Sequence, residues 1–184
     1  MQDTLAIARK QIHEFAVDGF KDHRVKLLRP GAWKCSRVGS WVYGFIVAEL
    51  PGALVIYGDL GEAIFRPADT DVMPWLRGAV GSADYLVSKI QPQPEKEFYA
   101  GDAVEWARER ARGDEDAFPL YAEAKLAEER NELNCSEEWC ALVEEYDPDH
   151  DSDAYSVGQG PSATTLWLIE ALRWFVAHES EASA

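Results

Sequence analysis

Cysteine is scarce in this chain, with three in 184 residues, at positions 35, 135 and 140. An odd count excludes a fully paired disulfide framework and points to free thiols in a reducing compartment. Histidine is nearly as rare, with four. No Cys or His stands at zinc-ligand spacing from Cys135 and Cys140, which are five apart. No apolar run approaches the roughly 20 residues that cross a bilayer, so no membrane segment is expected. The N-terminus lacks a basic stretch followed by an apolar one, so no secretion signal is expected either. Phosphate-binding glycine loops, G-x-S-x-G elbows and H-E-x-x-H helices are absent, which removes the commonest sequence signs of catalysis.

Positive charge is scarce in the second half. Residues 1–90 hold 11 Lys/Arg against 10 Asp/Glu, whereas residues 91–184 hold 7 against 23. The formal net charge of −15 therefore belongs to the second half alone. A field of that sign repels nucleic acid and favours basic proteins. At this length one domain is expected over 1–184, with a sheet-bearing half (1–90) and an acidic helical half (95–184).

What is abundant is bulky apolar material, with seven each of Trp, Tyr and Phe. It concentrates in Trp41 to Phe65, W-V-Y-G-F-I-V-A-E-L-P-G-A-L-V-I-Y-G-D-L-G-E-A-I-F. Trp41–Leu50 is aromatic and β-branched and reads as a strand covered on both faces. Pro51-Gly52 suits the centre of a type II turn. Ala53–Tyr57 is then the return strand, and Gly58 and Gly61 mark a corner before Glu62–Phe65. Lys34–Val38 is a candidate edge strand, and residues 20–33 read as a basic connector ending in Pro30-Gly31. Arginines in that connector have the chemistry to grip a phosphate or carboxylate, or to pair with acids of the same domain. The expected fold class is α+β: a small antiparallel meander of three to four strands, an N-terminal helix and a mostly helical acidic half.

Helical spacing predicts Thr4–Asp18, with Asp3 or Thr4 as cap and His13 and His23 on the surface. Asp71–Val80 and Ser82–Ile90 are short helices, broken by Gln91-Pro92-Gln93-Pro94. Asp102 and Glu105 resemble a capping box for Ala103–Arg112. Asp114–Leu133 follows. Ser136 then caps a helix that turns Trp139, Leu142, Val143 and Tyr146 to one side. Asp147–Gly160 reads as a loop. Thr165–Val176 is apolar nearly all round and is expected to lie buried across the sheet. Residues from Glu179 are expected to fray.

Three groupings are candidates for chemistry. Asp147, Asp149, Asp151 and Asp153 alternate like the start of a calcium loop, but Ser152 and Gly158 stand where Gly and Glu are required. Asp59 and Glu62 form a possible carboxylate pair, whose letters also spell a tight hairpin turn. Cys135 and Cys140 have no identifiable base nearby. No catalytic residue, metal or cofactor is assigned on these grounds.

The residues His23, Arg24, Arg29, Pro30 and Gly31, then Phe45, Pro51, Gly52, Leu54, Gly58, Asp59, Gly61, Phe65 and Arg66, make an F…P-G-x-L…G-D-x-G…F-x-R pattern. Asp71-Val72-Met73-Pro74-Trp75-Leu76-Arg77, Tyr85 with Lys89, and Leu166–Trp174 follow it. This arrangement resembles a family of uncharacterised proteins from tailed bacteriophages and prophages, most specifically over residues 23–90. Pro74 and Trp75 depart from the family's aromatic segment, and residues 95–160 match by position only. The resemblance implies a mobile-element origin and supplies no activity.

The expected function is a cytoplasmic, non-catalytic interaction protein. Its sharpest form is an inhibitor of host defence, such as an anti-CRISPR protein, whose acidic surface occupies a basic nucleic-acid channel on a host or defence protein. The expected contact residues are Glu128, Glu129, Glu137, Glu138, Glu144, Glu145, Asp147, Asp149, Asp151 and Asp153. The alternatives are a metal-assisted hydrolase using Asp/Glu carboxylates, and a phage accessory or assembly protein. Direct nucleic-acid binding is not expected.

Overall fold

A computed structural model describes residues 4–68, 71–147 and 152–182. The chain divides into two compact units, one of residues 1–9 and 96–160, the other of residues 10–95 and 161–184.

The second of these units is built on a five-stranded antiparallel meander in the order β1-β2-β3-β4-β5. Its strands are β1 (Arg24–Arg29), β2 (Ala32–Ser36), β3 (Phe45–Leu50), β4 (Ala53–Gly58) and β5 (Gly61–Phe65). Pro51-Gly52 makes the β3–β4 turn as expected, with Gly52 at φ 70°. The sheet has one strand more than the sequence suggests, because the basic connector is itself strand β1. Its charges hide a period-two pattern: Val25 is buried while Arg24 and Lys26 face water. The candidate edge strand Lys34–Val38 is thus strand two, ending at Ser36.

Strand β3 starts at Phe45, four residues later than the apolar run begins. Trp41–Gly44 form a turn closed by the Gly44 N–H on the Trp41 carbonyl (2.6 Å), and Tyr43 takes a left-handed conformation (φ 57°). Among the described residues, the core of this unit lies on one face of the sheet. Val25, Cys35, Phe45, Val47, Leu54, Ile56, Ala63 and Phe65 share the buried face. Full burial of each large side chain contributes about 1.5–3 kcal/mol. On the other face Lys26, Lys34, Ile46, Tyr57 and Glu62 follow one another across the strands. Tyr57 stays 43% exposed and Ile64 37%. The expectation of two-sided cover fails because half-buried Ile46, Ala48 and Val55 make an open face read as apolar.

Helix α1 (Thr4–Phe20) sends Ala16 and Phe20 into the core formed on the sheet. So do α2 (Val72–Ala79), through Val72, Met73 and Leu76, and α3 (Ala83–Val87), through Leu86. Helix α7 (Ala163–His178) lies in that core, as its apolar girth requires, through Leu168, Ile169, Leu172 and Phe175. Ser162 caps α7, its Oγ accepting the Thr165 N–H (3.3 Å). Glu170, the one acid inside α7, accepts from His13 Nδ1 (2.8 Å) and from Arg173. Glu179 does not fray: it pairs with Arg77 at 2.6 Å. His23, expected on the surface, is buried at 7% exposure among Phe20, Phe45 and Trp174.

The other unit is helical. Its elements are β6 (Lys96–Phe98), α4 (Ala100–Gly113), a 3-10 turn at Glu115–Ala117, α5 (Phe118–Glu129), α6 (Ser136–Tyr146) and a 3-10 turn at Ser152–Ser156. Strand β7 (Gln159–Pro161) pairs with β6. Ala103, Val104, Ala107, Leu120, Ala124, Trp139 and Val143 form a separate core. Trp139 is fully buried, with its indole N–H donating to the Ala154 carbonyl (2.7 Å) and Trp106 standing edge-on to it.

Two helix starts differ from expectation. Asp102 lies inside α4, and its carboxylate accepts the N–H groups of Thr4 (2.6 Å) and Leu5 (3.3 Å). It therefore caps α1, a long-range partner that local spacing cannot reveal. Asp3 lies outside the described residues. At α6 the cap comes from Glu138, which accepts the N–H groups of Asn134 (2.5 Å) and Cys135 (3.2 Å), while Ser136 is already helical.

Candidate functional site

The helical unit holds 20 acidic residues against 7 basic ones, a net of −13, whereas the sheet unit carries −2. Most of the basic side chains in the helical unit are committed locally. Arg108 pairs with Glu105 and Glu109, and Arg112 with Glu109. Arg110 meets Asp147 through Nε (2.5 Å) and a terminal nitrogen (3.2 Å), a forked contact. Helix α4 thus pairs Glu105 and Glu109 with its own arginines.

Helix α6 does the opposite. It turns Trp139 and Val143 inward and leaves Glu137, Glu144 and Glu145 exposed. Among the described residues, none of these three has a Lys or Arg within ion-pair distance. Glu137 sits in the first turn, where its own backbone N–H, the Cys135 thiol and the Ser136 hydroxyl hold its carboxyl below the usual range. Glu144 lies beside Tyr155, whose phenol is pushed up first by burial and then by that carboxylate. Glu129 is exposed on α5, and Asp153 is exposed in the 3-10 turn that follows α6.

The expected contact residues therefore separate into groups. Glu129, Glu137, Glu144, Glu145 and Asp153 face water. Glu128 is half-buried, close to Gly101. Glu138 is a helix cap and Asp147 is an ion-pair partner, so these two serve the fold. Asp149 and Asp151 lie outside the described residues. Below the start of α6 a cleft of about 520 Å³ is lined by Phe98, Asn134, Cys135, Ser136, Glu137 and neighbours.

The groupings considered for catalysis have other tasks. Asp59 accepts the Tyr43 N–H (2.8 Å), tying the β4–β5 turn to the left-handed residue. Glu62 lies on the open sheet face beside Tyr57. Gly58 is required there because a Cβ would come within 2.2 Å of the Gly44 carbonyl. The G-D-x-G letters thus describe a turn and its tether. Burial pushes the Cys35 thiol up, and burial with Glu144 and Glu137 does the same for Cys140, so both are poor nucleophiles. Among the described residues no three His, Cys, Asp or Glu side chains gather as a metal site needs. Comparison of the chain with protein-family models, with curated proteins and with solved structures finds no match.

The sequence pattern finds the acidic helices but misses which carboxylates the fold uses. Glu138 at the third helical position is a legible cap signal. The Arg110–Asp147 pair, 37 residues apart, has no such signal.

Proposed function

We propose that this is a non-catalytic interaction protein of phage or mobile-element origin, working in the bacterial cytoplasm. Its acidic helical face takes the place of nucleic acid in a basic site on a host or defence-system protein. The anti-CRISPR type of inhibitor is the sharpest form of this reading. One observation carries it: Glu137, Glu144 and Glu145 stand exposed on α6 without basic partners among the described residues, while the arginines of neighbouring α4 are held in ion pairs. A row of exposed carboxylates presents the charge that a phosphate backbone presents to Lys and Arg. The resemblance of residues 23–90 to a phage family supports the origin. The absence of any helix long and apolar enough to cross a membrane, among the described residues, is compatible with the proposed location.

The test is a tagged pull-down from bacterial lysate at low and high salt, comparing wild type with an E137K/E144K/E145K variant. The expected result is a basic nucleic-acid-binding protein held by wild type at low salt, released at high salt and not held by the variant. Equal capture by both proteins would contradict the reading.

A further inference from the structure

The open face of the sheet carries one side chain per strand in a single row. The register places Lys26 on β1, Lys34 on β2, Ile46 on β3, Tyr57 on β4 and Glu62 on β5 side by side. These positions alternate with the buried Val25, Cys35, Phe45, Val47, Ile56 and Ala63, so all five point away from the core. The next row, from β2 to β5, is Ala32, Ala48, Val55 and Ile64. Leu50 follows on β3, exposed like Tyr57 and Ile64.

Within one chain this row is poorly satisfied. Lys26 and Lys34 are direct cross-strand partners, and like charges so placed repel. Among the described residues neither has an acid within ion-pair distance; Lys34 lies instead over the Trp41 ring at 5.1 Å. Glu62, the one acid of the row, stands on β5 beside Tyr57, away from both lysines. Between the charged ends Ile46, Ala48, Val55, Tyr57 and Ile64 make a continuous apolar strip.

The row is complementary to itself. It has a basic end, an apolar centre and an acidic end, and Ile46 on the middle strand is its midpoint. A two-fold axis along β3, between two such faces, sets Lys26 opposite Glu62 of a second copy. It sets Lys34 opposite Tyr57 of that copy and Ile46 opposite its own equivalent. Each contact off the axis then occurs twice, an ammonium on a carboxylate and an ammonium on an aromatic ring. The angle of about 30° between packed sheets displaces the outer strands by about 5 Å, within reach of a lysine side chain.

The sheet edges favour self-association less. Strand β1 breaks register at a bulge between Leu27 and Arg29 and exposes Arg24, Lys26 and Arg29, features that blunt an edge. Beyond β5 the Gln91 N–H donates to the Ile64 carbonyl (2.8 Å) and the Arg66 N–H to the Lys89 carbonyl (2.8 Å), so that edge is already paired.

We infer that the open sheet face docks a second copy of this chain, giving a two-fold dimer with the two sheets packed face to face. The face measures about 20 Å across the strands and about 17 Å along them. That is a small footprint for a permanent interface, so the dimer forms reversibly, with a dissociation constant in the micromolar range.

The test is sedimentation velocity of the full chain from about 1 to about 500 μM, a span that brackets such a constant. Wild type is expected to pass from monomer to dimer and to go no further. Lys26→Glu and Glu62→Lys each turn two symmetric attractions into repulsions and should each weaken the dimer about tenfold or more. Mixed with each other, the two variants should associate again, because opposite charges then meet at both pairs. Lys26 and Glu62 are exposed, so both variants should melt with wild type. Phe15→Ser, at an exposed apolar site on α1, should leave the dimer unchanged. A wild type that stays monomeric throughout would overturn the proposal and leave the face to a partner of another kind. Species larger than a dimer, a dimer unaffected by Lys26→Glu, a dimer lost in Phe15→Ser, or a mixture that associates no better than its components would overturn it too.

Discussion

The two units use carboxylates in opposite ways. In the sheet unit the acids that matter most are tied down. Glu170 is buried inside α7 between His13 and Arg173, and Glu179 is locked to Arg77. In the helical unit α4 keeps this pattern for Glu105 and Glu109, and α6 abandons it, leaving Glu137, Glu144 and Glu145 exposed. Paired acids hold a fold in register. Unpaired acids repel one another and contribute little to stability, and under the function proposed above their accumulation on one helix serves a partner outside the fold.

The largest effect should come from the core of the helical unit. Trp139→Ala removes its one fully buried indole and the hydrogen bond to Ala154, and should cost about 3–5 kcal/mol. Hydrogen exchange should place the loss within residues 96–160; a loss confined to the sheet would contradict the separate cores.

Next is Glu170→Ala, which strands Arg173 and His13. Both partners are partly exposed, so the cost is discounted from a fully buried pair to about 1–3 kcal/mol, readable by chemical denaturation. The corresponding change on α6, Glu144→Ala, should stay within about 0.5 kcal/mol. Equal costs would erase the distinction between the two kinds of carboxylate.

Asp102→Ala should cost about 1–2 kcal/mol, through the loss of both bonds to the start of α1. Amide exchange at Thr4 and Leu5 is the direct readout, and unchanged protection there would remove Asp102 from the capping role.

The smallest effect is a pH dependence carried by His23. Its folded pKa is depressed, so the unfolded chain binds the proton more readily. The contribution is complete above the unfolded value of about 6.5 and is lost as pH falls from there towards the folded pKa. Melting in phosphate-free buffer should therefore show a decline below pH 6.5 that His23→Gln reduces.

Much of this architecture is written locally. Pro51-Gly52, the return strand that follows it and the apolar girth of α7 each follow from short-range rules, and the structure bears them out. Strand β1 is not legible in that way, since its outward Arg24 and Lys26 mask the inward Val25. Burial of His23 is also hidden, because its neighbours Phe45 and Trp174 are brought to it by tertiary structure alone. For the acidic half, composition shows which helices carry the charge. Which carboxylates stay free depends on contacts such as Arg110 with Asp147 and Asp102 with Thr4, which no spacing rule encodes.

The central claim is that α6 competes with nucleic acid for a basic surface. Its most direct test uses the partner captured at low salt, loaded with a labelled oligonucleotide, and follows the fluorescence anisotropy as this protein is added. Wild type should release the oligonucleotide, with a potency that falls as salt rises. The E137K/E144K/E145K variant should leave it bound while unfolding at the same denaturant concentration as wild type. Release by the variant at wild-type concentrations, or an oligonucleotide that stays bound under wild type, would contradict the account.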